Sequence, residues 1–400
     1  MKTILGLDLG TNSIGWAKVS VDDYGNYLHD IKLGSRIIPM SQDVLGNFDS
    51  GVTVSQTAQR TEFRSKRRLV QRNLQRRERL HRVLHVLDFL PAHYDAAIGW
   101  DRTEAVTYGK FLNHAEPKLA WEELGNGKRR FLFMDSFHEM VANFARCQPA
   151  LVADGKKIPL DWTIYYLRKK ALTQAITKEE LAWILLNFNQ KRGYYQLRGE
   201  EEENPTKQEE YYELKVVSVE ATDSRKGNDT WYNVHLENGW IYRRSSKISL
   251  DDWVGKVKQF IVTTEYEKDG TTLKTDKEGN VKRSFRAPNE NDWGLRKKRT
   301  ETLLEMSGKT VGAFIYDHLL QEPADKIRGN FIRTIERHYY KAELEAILAE
   351  QCKYHIELRD KEMLEACARE LYLNNLPHQQ SLMKKDMTYL LLYDLIFYQR

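Results

Sequence analysis

Residues 59–80 read QRTEFRSKRRLVQRNLQRRERL. Between Arg60 and Arg82 stand ten basic residues, Arg60, Arg64, Lys66, Arg67, Arg68, Arg72, Arg76, Arg77, Arg79 and Arg82, opposed only by Glu62 and Glu78. This window carries +8 in a chain whose net charge is +5, which leaves −3 for everything else. A positive field this local has the form of a binding site and not of a general solubility device. No Gly or Pro interrupts residues 60–90, and Leu69, Leu74, Leu80, Leu84 and Leu87 keep helical spacing, so one long helix is predicted, ended by Pro91. Arg60, Arg64, Arg68, Arg72 and Arg76 recur every four residues; each step rotates about 400° and rises about 6 Å, so the stripe winds only slowly. Nine of the ten cations are arginine, whose planar fork suits phosphate oxygens. Solvated helix faces usually mix Lys with Glu at i,i+4; this one would repel itself without a polyanion.

Outward from that helix, 400 residues allow two or more domains. A hydrophobic content of 41% and a charged content of 30% describe a globular chain and exclude a disordered one. No apolar run approaches the roughly 20 residues of a membrane span. The opening MKTILGLDLGTNSIGW has no small-residue cleavage site and its apolar stretch is broken by Asp8, so it reads as a strand and not a signal peptide. Cys147, Cys352 and Cys367 lie far apart, which argues against a zinc site or a disulfide framework and suits a reducing cytoplasm.

Residues 3–38 read as three strands, with the turn Asp22–Asn26 before the third, and residues 41–57 as a polar connection. From Phe131 to Gln190 the pattern is helical, with Thr177 and Glu180 set as a capping box before LAWILLNF. Val216 to about Phe285 is rich in strand formers, and Asn238-Gly239 signals a hairpin; this is a small all-β insertion, with a barrel as one arrangement. Helices resume after Arg296-Lys297-Lys298-Arg299 through KAELEAILAEQC, DKEMLEACARELYL and DMTYLLLYDLIFYQR. The fold class is α+β and multi-domain, divided as 1–55, 56–90, 91–205, 206–295 and 296–400.

Asp8 is the one candidate for catalysis and metal binding. A carboxylate within an apolar strand is costly to bury unless an ion compensates it. Gly6 and Gly10 allow close backbone approach, and Mg²⁺ accepts one or two carboxylates alongside phosphate oxygens. Two-metal nucleases clamp the attacking and leaving oxygens with such ions. Aromatic and basic residues interleave at Tyr194-Tyr195 beside Arg192 and Arg198, and at Trp240, Tyr242, Arg243 and Arg244, where stacking on unpaired bases competes with core packing. The eleven histidines show no HxxH or HExxH spacing.

DLGTNSIGWA followed by the arginine helix resembles the first RuvC nuclease segment and the bridge helix of the type II CRISPR-associated RNA-guided endonucleases. LNFNQKRGYYQLRG resembles the recognition-lobe KRG motif of that family; RGNFIRTIERHYYKAELEAIL and the closing LIFYQR resemble its later helices. The resemblance spans nearly the whole chain, weakly over 90–175, and the β insertion departs from the better-known members. It implies the N-terminal strands of a ribonuclease H-like fold, a long arginine-rich helix, and a mostly helical recognition lobe carrying the β insertion. It implies that Asp8 is one metal-binding carboxylate of the RuvC site, with Mg²⁺ or Mn²⁺ as cofactor. Arg60, Arg64, Arg67, Arg68, Arg72, Arg76, Arg77, Arg79, Arg82, Lys191, Arg192 and Arg198 would contact RNA. Guide RNA (CRISPR RNA with trans-activating RNA) and target DNA would be the partners of a monomeric bacterial cytoplasmic protein with no membrane association. The other RuvC ligands and an HNH nuclease lie outside these residues, so the 400-residue piece is expected not to cut DNA alone.

Two other readings compete. Asp8-Leu9-Gly10-Thr11 also fits the D-x-G-T phosphate motif of sugar kinases and Hsp-seventy-type ATPases, but no second Gly-rich phosphate loop follows. A non-catalytic RNA-binding scaffold would make Asp8 structural.

Overall fold

The computed structural model describes residues 2–397 apart from 11–12, 23, 25, 40, 52–56, 105, 114–115, 126, 154–157, 194–205, 268, 270, 276–278, 280, 290–291 and 325–334. The chain forms two compact units, Met1–Gln75 and Arg76–Arg400.

In the first unit the three expected strands form an antiparallel meander, β1 (Lys2–Leu9), β2 (Ser13–Val21) and β3 (Tyr27–Ile37), in the order β1-β2-β3. Asp22 sets the β2–β3 turn: its Oδ1 accepts the backbone N–H of Tyr24 at 2.9 Å and of Asn26 at 2.8 Å. Every residue of β1 is exposed, Leu7 at 58% and Leu9 at 70%. The connection over 41–57 is not wholly irregular, because Gln42–Asp49 is a helix, α1, opened by the Leu45 N–H donating to the Ser41 carbonyl. The sequence reading passed over it because Gly46 costs about 1 kcal/mol against alanine in a helix interior.

The arginine segment is a single helix of 29 residues, α2 (Ala58–Val86), within which the boundary between the units falls. Pro91 does not end it. The Asp88 N–H bonds to the His85 carbonyl and the Phe89 N–H to the Leu84 carbonyl, each at 3.0 Å, with Asp88 at φ +56°. That is a Schellman closure whose left-handed residue is Asp instead of the usual Gly, and the buried Phe89 supplies its apolar contact.

The second unit is largely helical. Helices α3 (Ala92–Asp95), α4 (Met134–Cys147), α5 (Pro149–Ala153), α6 (Thr163–Lys170) and α7 (Lys178–Gln190) precede the insertion. A short hairpin, β4 (Trp121–Glu123) with β5 (Arg129–Phe131), stands before α4. The capping box at α7 is present: Glu180 N–H donates to Thr177 Oγ1 at 3.2 Å, and Thr177 N–H to Glu180 Oε2 at 2.9 Å. After the insertion come α8 (Trp293–Ser307), α9 (Val311–Gln321), α10 (Arg337–Gln351), α11 (Lys361–Leu371) and α12 (Leu376–Leu382). A π-helical turn, Leu390–Ile396, follows. One apolar core joins these helices to the end of α2 through Leu80, Val83, Leu84 and Leu87. No helix among the described residues is long and apolar enough to cross a membrane.

The core is pinned by a buried ion pair. Arg168 of α6 and Glu343 of α10 are each 1% exposed; Arg168 Nε donates to Oε1 at 2.9 Å and Nη2 to Oε2 at 2.5 Å. Both carboxylate oxygens also accept the Gly312 N–H at 3.0 Å, at the N-terminus of α9.

The insertion is a five-stranded antiparallel sheet in the order β10-β9-β6-β7-β8, comprising β6 (Lys207–Lys226), β7 (Asp229–Leu236), β8 (Ile241–Ser246), β9 (Val257–Glu265) and β10 (Arg283–Arg286). Its 20-residue strand β6 pairs with β9 up to Lys215 and with β7 from Val216, so one strand turns the sheet around a small core of Leu214, Val216, Val234, Leu236, Phe260 and Val262. Among the described residues β8 and β10 do not pair, so the barrel is not closed. Asn238-Gly239 makes the β7–β8 hairpin, with Gly239 at φ +80°.

Candidate nucleic-acid interface

The arginines of α2 fall into two sets. Arg60, Arg64, Arg67, Arg68 and Arg72 are exposed, and among the described residues none has an acidic partner; only Lys66 is engaged, with Glu62 at 2.5 Å. Phe63 and Leu69 on the same stretch are 66% and 59% exposed. From Arg76 onward the side chains are half-buried, because the helix here joins the apolar core of the second unit.

Protein groups hold the basal arginines. Arg77 makes a two-pronged ion pair with Glu116, both contacts 2.7 Å, which holds the Glu116 carboxyl below the usual range. Arg79 lies 4.9 Å over the Tyr372 ring and donates to the Tyr372 hydroxyl at 2.7 Å and the Asp394 carbonyl at 3.4 Å. Arg82 stacks 5.7 Å from Tyr108 and reaches buried Glu370 at 3.4 Å, where Arg102 also binds at 2.6 Å. His81 is buried between them, with Nδ1 3.2 Å from the Gly109 carbonyl and Nε2 2.9 Å from the Tyr94 hydroxyl. A carbonyl only accepts, so Nδ1 carries the proton and Nε2 accepts. Burial pushes the His81 pKa down to about 4.

The KRG motif comes to the same end of α2. Arg192 donates to the Ile396 carbonyl at 3.2 Å, and burial together with the charges of Arg76 and Arg337 lowers its pKa to about 10. Gly193 sits at φ +82°, and a Cβ there would meet Tyr340 Cδ2 at 2.7 Å and Arg337 Cα at 2.8 Å. Glycine is required by both the backbone conformation and the space. Three arginines from α2, the KRG loop and the start of α10 thus share one neighbourhood. Arg76 and Arg337 raise the electrostatic cost of the Arg192 charge. Sequence reasoning named Arg76 and Arg192 but not Arg337, which stands in the string ERHYY, read only as helical.

Asp8 is exposed on β1, paired in register with Gly15, and not the buried carboxylate that the apolar strand led one to expect. No group of three or more His, Cys, Asp or Glu able to hold a metal occurs among the described residues. Arg198, Tyr194 and Tyr195 lie outside the described residues. Trp240 and Tyr242 pack against the insertion core, with Trp240 5.1 Å from Tyr212.

Residues 60–95 match the family model described as the bridge helix of CRISPR-associated endonuclease Cas9. A comparison with curated protein sequences gives no match. Among solved structures, an St1Cas9–sgRNA–AcrIIA6–tDNA59-ntPAM complex aligns at 15% identity and TM-score 0.29, covering 92% of this chain and 25% of that one. Campylobacter jejuni Cas9 in complex with sgRNA and target DNA aligns at 14% identity and TM-score 0.32, covering 100% and 30%. The chain therefore spans between a quarter and a third of the length of these proteins. Over the segment whose arginine spacing first marked it out, this chain carries the pattern of the Cas9 bridge helix.

Proposed function

We propose that this chain is the N-terminal part of an RNA-guided DNA endonuclease of the type II CRISPR class, and that α2 grips guide RNA by its phosphate backbone. The observation that carries the reading is the set Arg60, Arg64, Arg67, Arg68 and Arg72, exposed and without acidic partners among the described residues. Phosphates spaced along a strand supply the countercharge, and each arginine fork takes two oxygens of one phosphate. Arg76, Arg192 and Arg337 hold a further phosphate at the lobe end of the helix, and Lys191 and Arg198 extend the contact to RNA or the RNA–DNA heteroduplex. Base pairing reads sequence while the protein holds backbone and shape, the division of labour described in general for this class of effector.

In the complete protein Asp8 contributes one carboxylate to a RuvC-type Mg²⁺ site that cuts the displaced DNA strand. One carboxylate does not make such a site: Mg²⁺ wants near-octahedral oxygen ligation, and two-metal hydrolysis needs several acidic ligands. The residues described here do not complete it, and the 400-residue chain alone is expected to bind RNA without cutting DNA.

Fluorescence anisotropy of guide-like RNA against log salt concentration tests the reading. Arg64→Ala, Arg68→Ala and Arg72→Ala together should weaken binding and flatten the slope by up to about one unit per lost phosphate contact. An unchanged slope in the triple variant rejects α2 as the RNA grip. In a full-length protein, Asp8→Ala should abolish cutting of the displaced strand and leave RNA affinity intact; undiminished cutting of both strands removes Asp8 from the site.

A further inference from the structure

The β insertion carries charge that α2 does not explain. Residues 206–295 hold fifteen Lys and Arg against sixteen Asp and Glu, a net of −1, yet residues 243–258 hold five against two, a net of +3. Elsewhere in the sheet Glu209 pairs with Arg286, and Glu265 with Lys274 and Lys282. Arg243, Arg244 and Lys258 have no acidic partner among the described residues. Each lies instead over an indole: Arg243 is 5.8 Å from the Trp231 ring, while Arg244 and Lys258 converge on Trp253 at 5.2 Å and 4.3 Å.

Strand β8 ends the sheet, so Arg243 and Arg244 line an edge, while Lys258 stands on β9 opposite Leu214 and reaches the same Trp253 ring as Arg244. Arg243 pairs in register with Asn233 and Arg244 with Tyr232. Successive residues of a strand point to opposite faces, so the two guanidiniums flank the edge from both sides. Basic residues on an edge strand also discourage edge-to-edge pairing, and for that purpose cations waving freely in solvent suffice. Here the aromatic rings fix them. Two like charges brought to one indole repel each other, and an anion between them relieves that repulsion. Three cations held on two aromatic rings present several fixed positive groups, which suits a polyanionic strand.

We propose that Arg243 and Arg244 of the β8 edge, together with Lys258 of β9 on the shared Trp253 ring, form a second nucleic-acid backbone site, separate from α2. Its ligand is the phosphate backbone of RNA or DNA.

The test uses the 400-residue chain with labelled single-stranded RNA and DNA of equal length. Binding is measured against salt for Arg243→Ala/Arg244→Ala/Lys258→Ala, for the charge-keeping Arg243→Lys/Arg244→Lys, and for the α2 triple variant. Loss of the three cations should lower the log–log salt slope by about 0.7 per contact, up to about 2 in all. The lysine version should keep it. Photocrosslinking of the same strands should mark peptides of β8 or the Trp253 turn, and the strand that crosslinks more identifies RNA or DNA as the source of the phosphates. A slope unchanged in the alanine variant while the α2 variant flattens it would overturn the β8 site and leave the α2 reading standing; the reverse outcome would do the opposite. Crosslinks absent from β8, or a lysine version as defective as the alanine one, would also sink the proposal.

Discussion

Replacing Glu343 by alanine removes the counterion of a fully buried arginine. Arg168 has both prongs on that carboxylate and lies over the rings of Phe188 at 4.5 Å and Tyr340 at 5.5 Å, with no route to water. Without Glu343 the guanidinium keeps its charge, because arginine does not deprotonate in proteins, and the Gly312 N–H loses its acceptor as well. Breaking one side of a buried pair costs about 3–5 kcal/mol, most of it the stranded charge. The expected outcome for Glu343→Ala is a loss of that size in the urea unfolding of the second unit, followed by tryptophan fluorescence. Replacing both partners, Arg168→Met with Glu343→Leu, should recover most of it, since an apolar pair of similar volume removes the stranded charge. A single variant within about 1 kcal/mol of the parent, or a double variant as unstable as the single, would refute the reasoning. The consequence reaches the interface through Tyr340, which sits one turn before Glu343 on α10 and against Gly193 of the KRG loop.

His81 gives a pH dependence of definite sign. Its folded pKa near 4 lies below the ordinary value of 6.5, so the unfolded chain binds the extra proton; stability is full above about pH 6.5 and falls as pH drops toward 4. Between pH 7.5 and 5 the loss should be about 2 kcal/mol in urea midpoints, and His81→Asn should flatten it. Gly193→Ala should displace the KRG loop from Arg337 and Tyr340 and weaken RNA binding at least as much as Arg192→Ala, read by the same anisotropy titration; equal affinity to the parent would show that the loop's position is immaterial.

What the sequence revealed was local. The capping box at Thr177 and Glu180, the Asn238-Gly239 hairpin and the three opening strands depend on neighbours a few residues apart, and each stands where the pattern put it. The arginine stripe was legible for the same reason. Its division was not: Leu69 and Leu74 keep the same spacing as Leu80, Leu84 and Leu87, yet the first two are 59% and 41% exposed and the last three 0%. Only tertiary packing distinguishes them. The Arg168–Glu343 pair joins residues 175 positions apart and leaves no periodic trace. The end of α2 was misplaced because Asp88 fills a left-handed position that sequence rules reserve for Gly or Asn.

The arrangement also accounts for how so many arginines are tolerated at one end of the fold. The basal set is neutralised in kind: Arg77 by Glu116, and Arg82 by Glu370. Arg79 also donates to the Tyr372 hydroxyl and the Asp394 carbonyl, and Arg192 to the Ile396 carbonyl, at the end of the π-helical turn. There the i→i+5 bond from the Phe397 N–H to the Leu392 carbonyl closes the turn, and the last carbonyls present the negative end of the helix dipole. A dipole end offsets a guanidinium only in part, so Arg192 stays destabilised by its burial and by the charges of Arg76 and Arg337, as its lowered pKa records. The Ile396 carbonyl fixes the position of Arg192 without supplying a full negative charge.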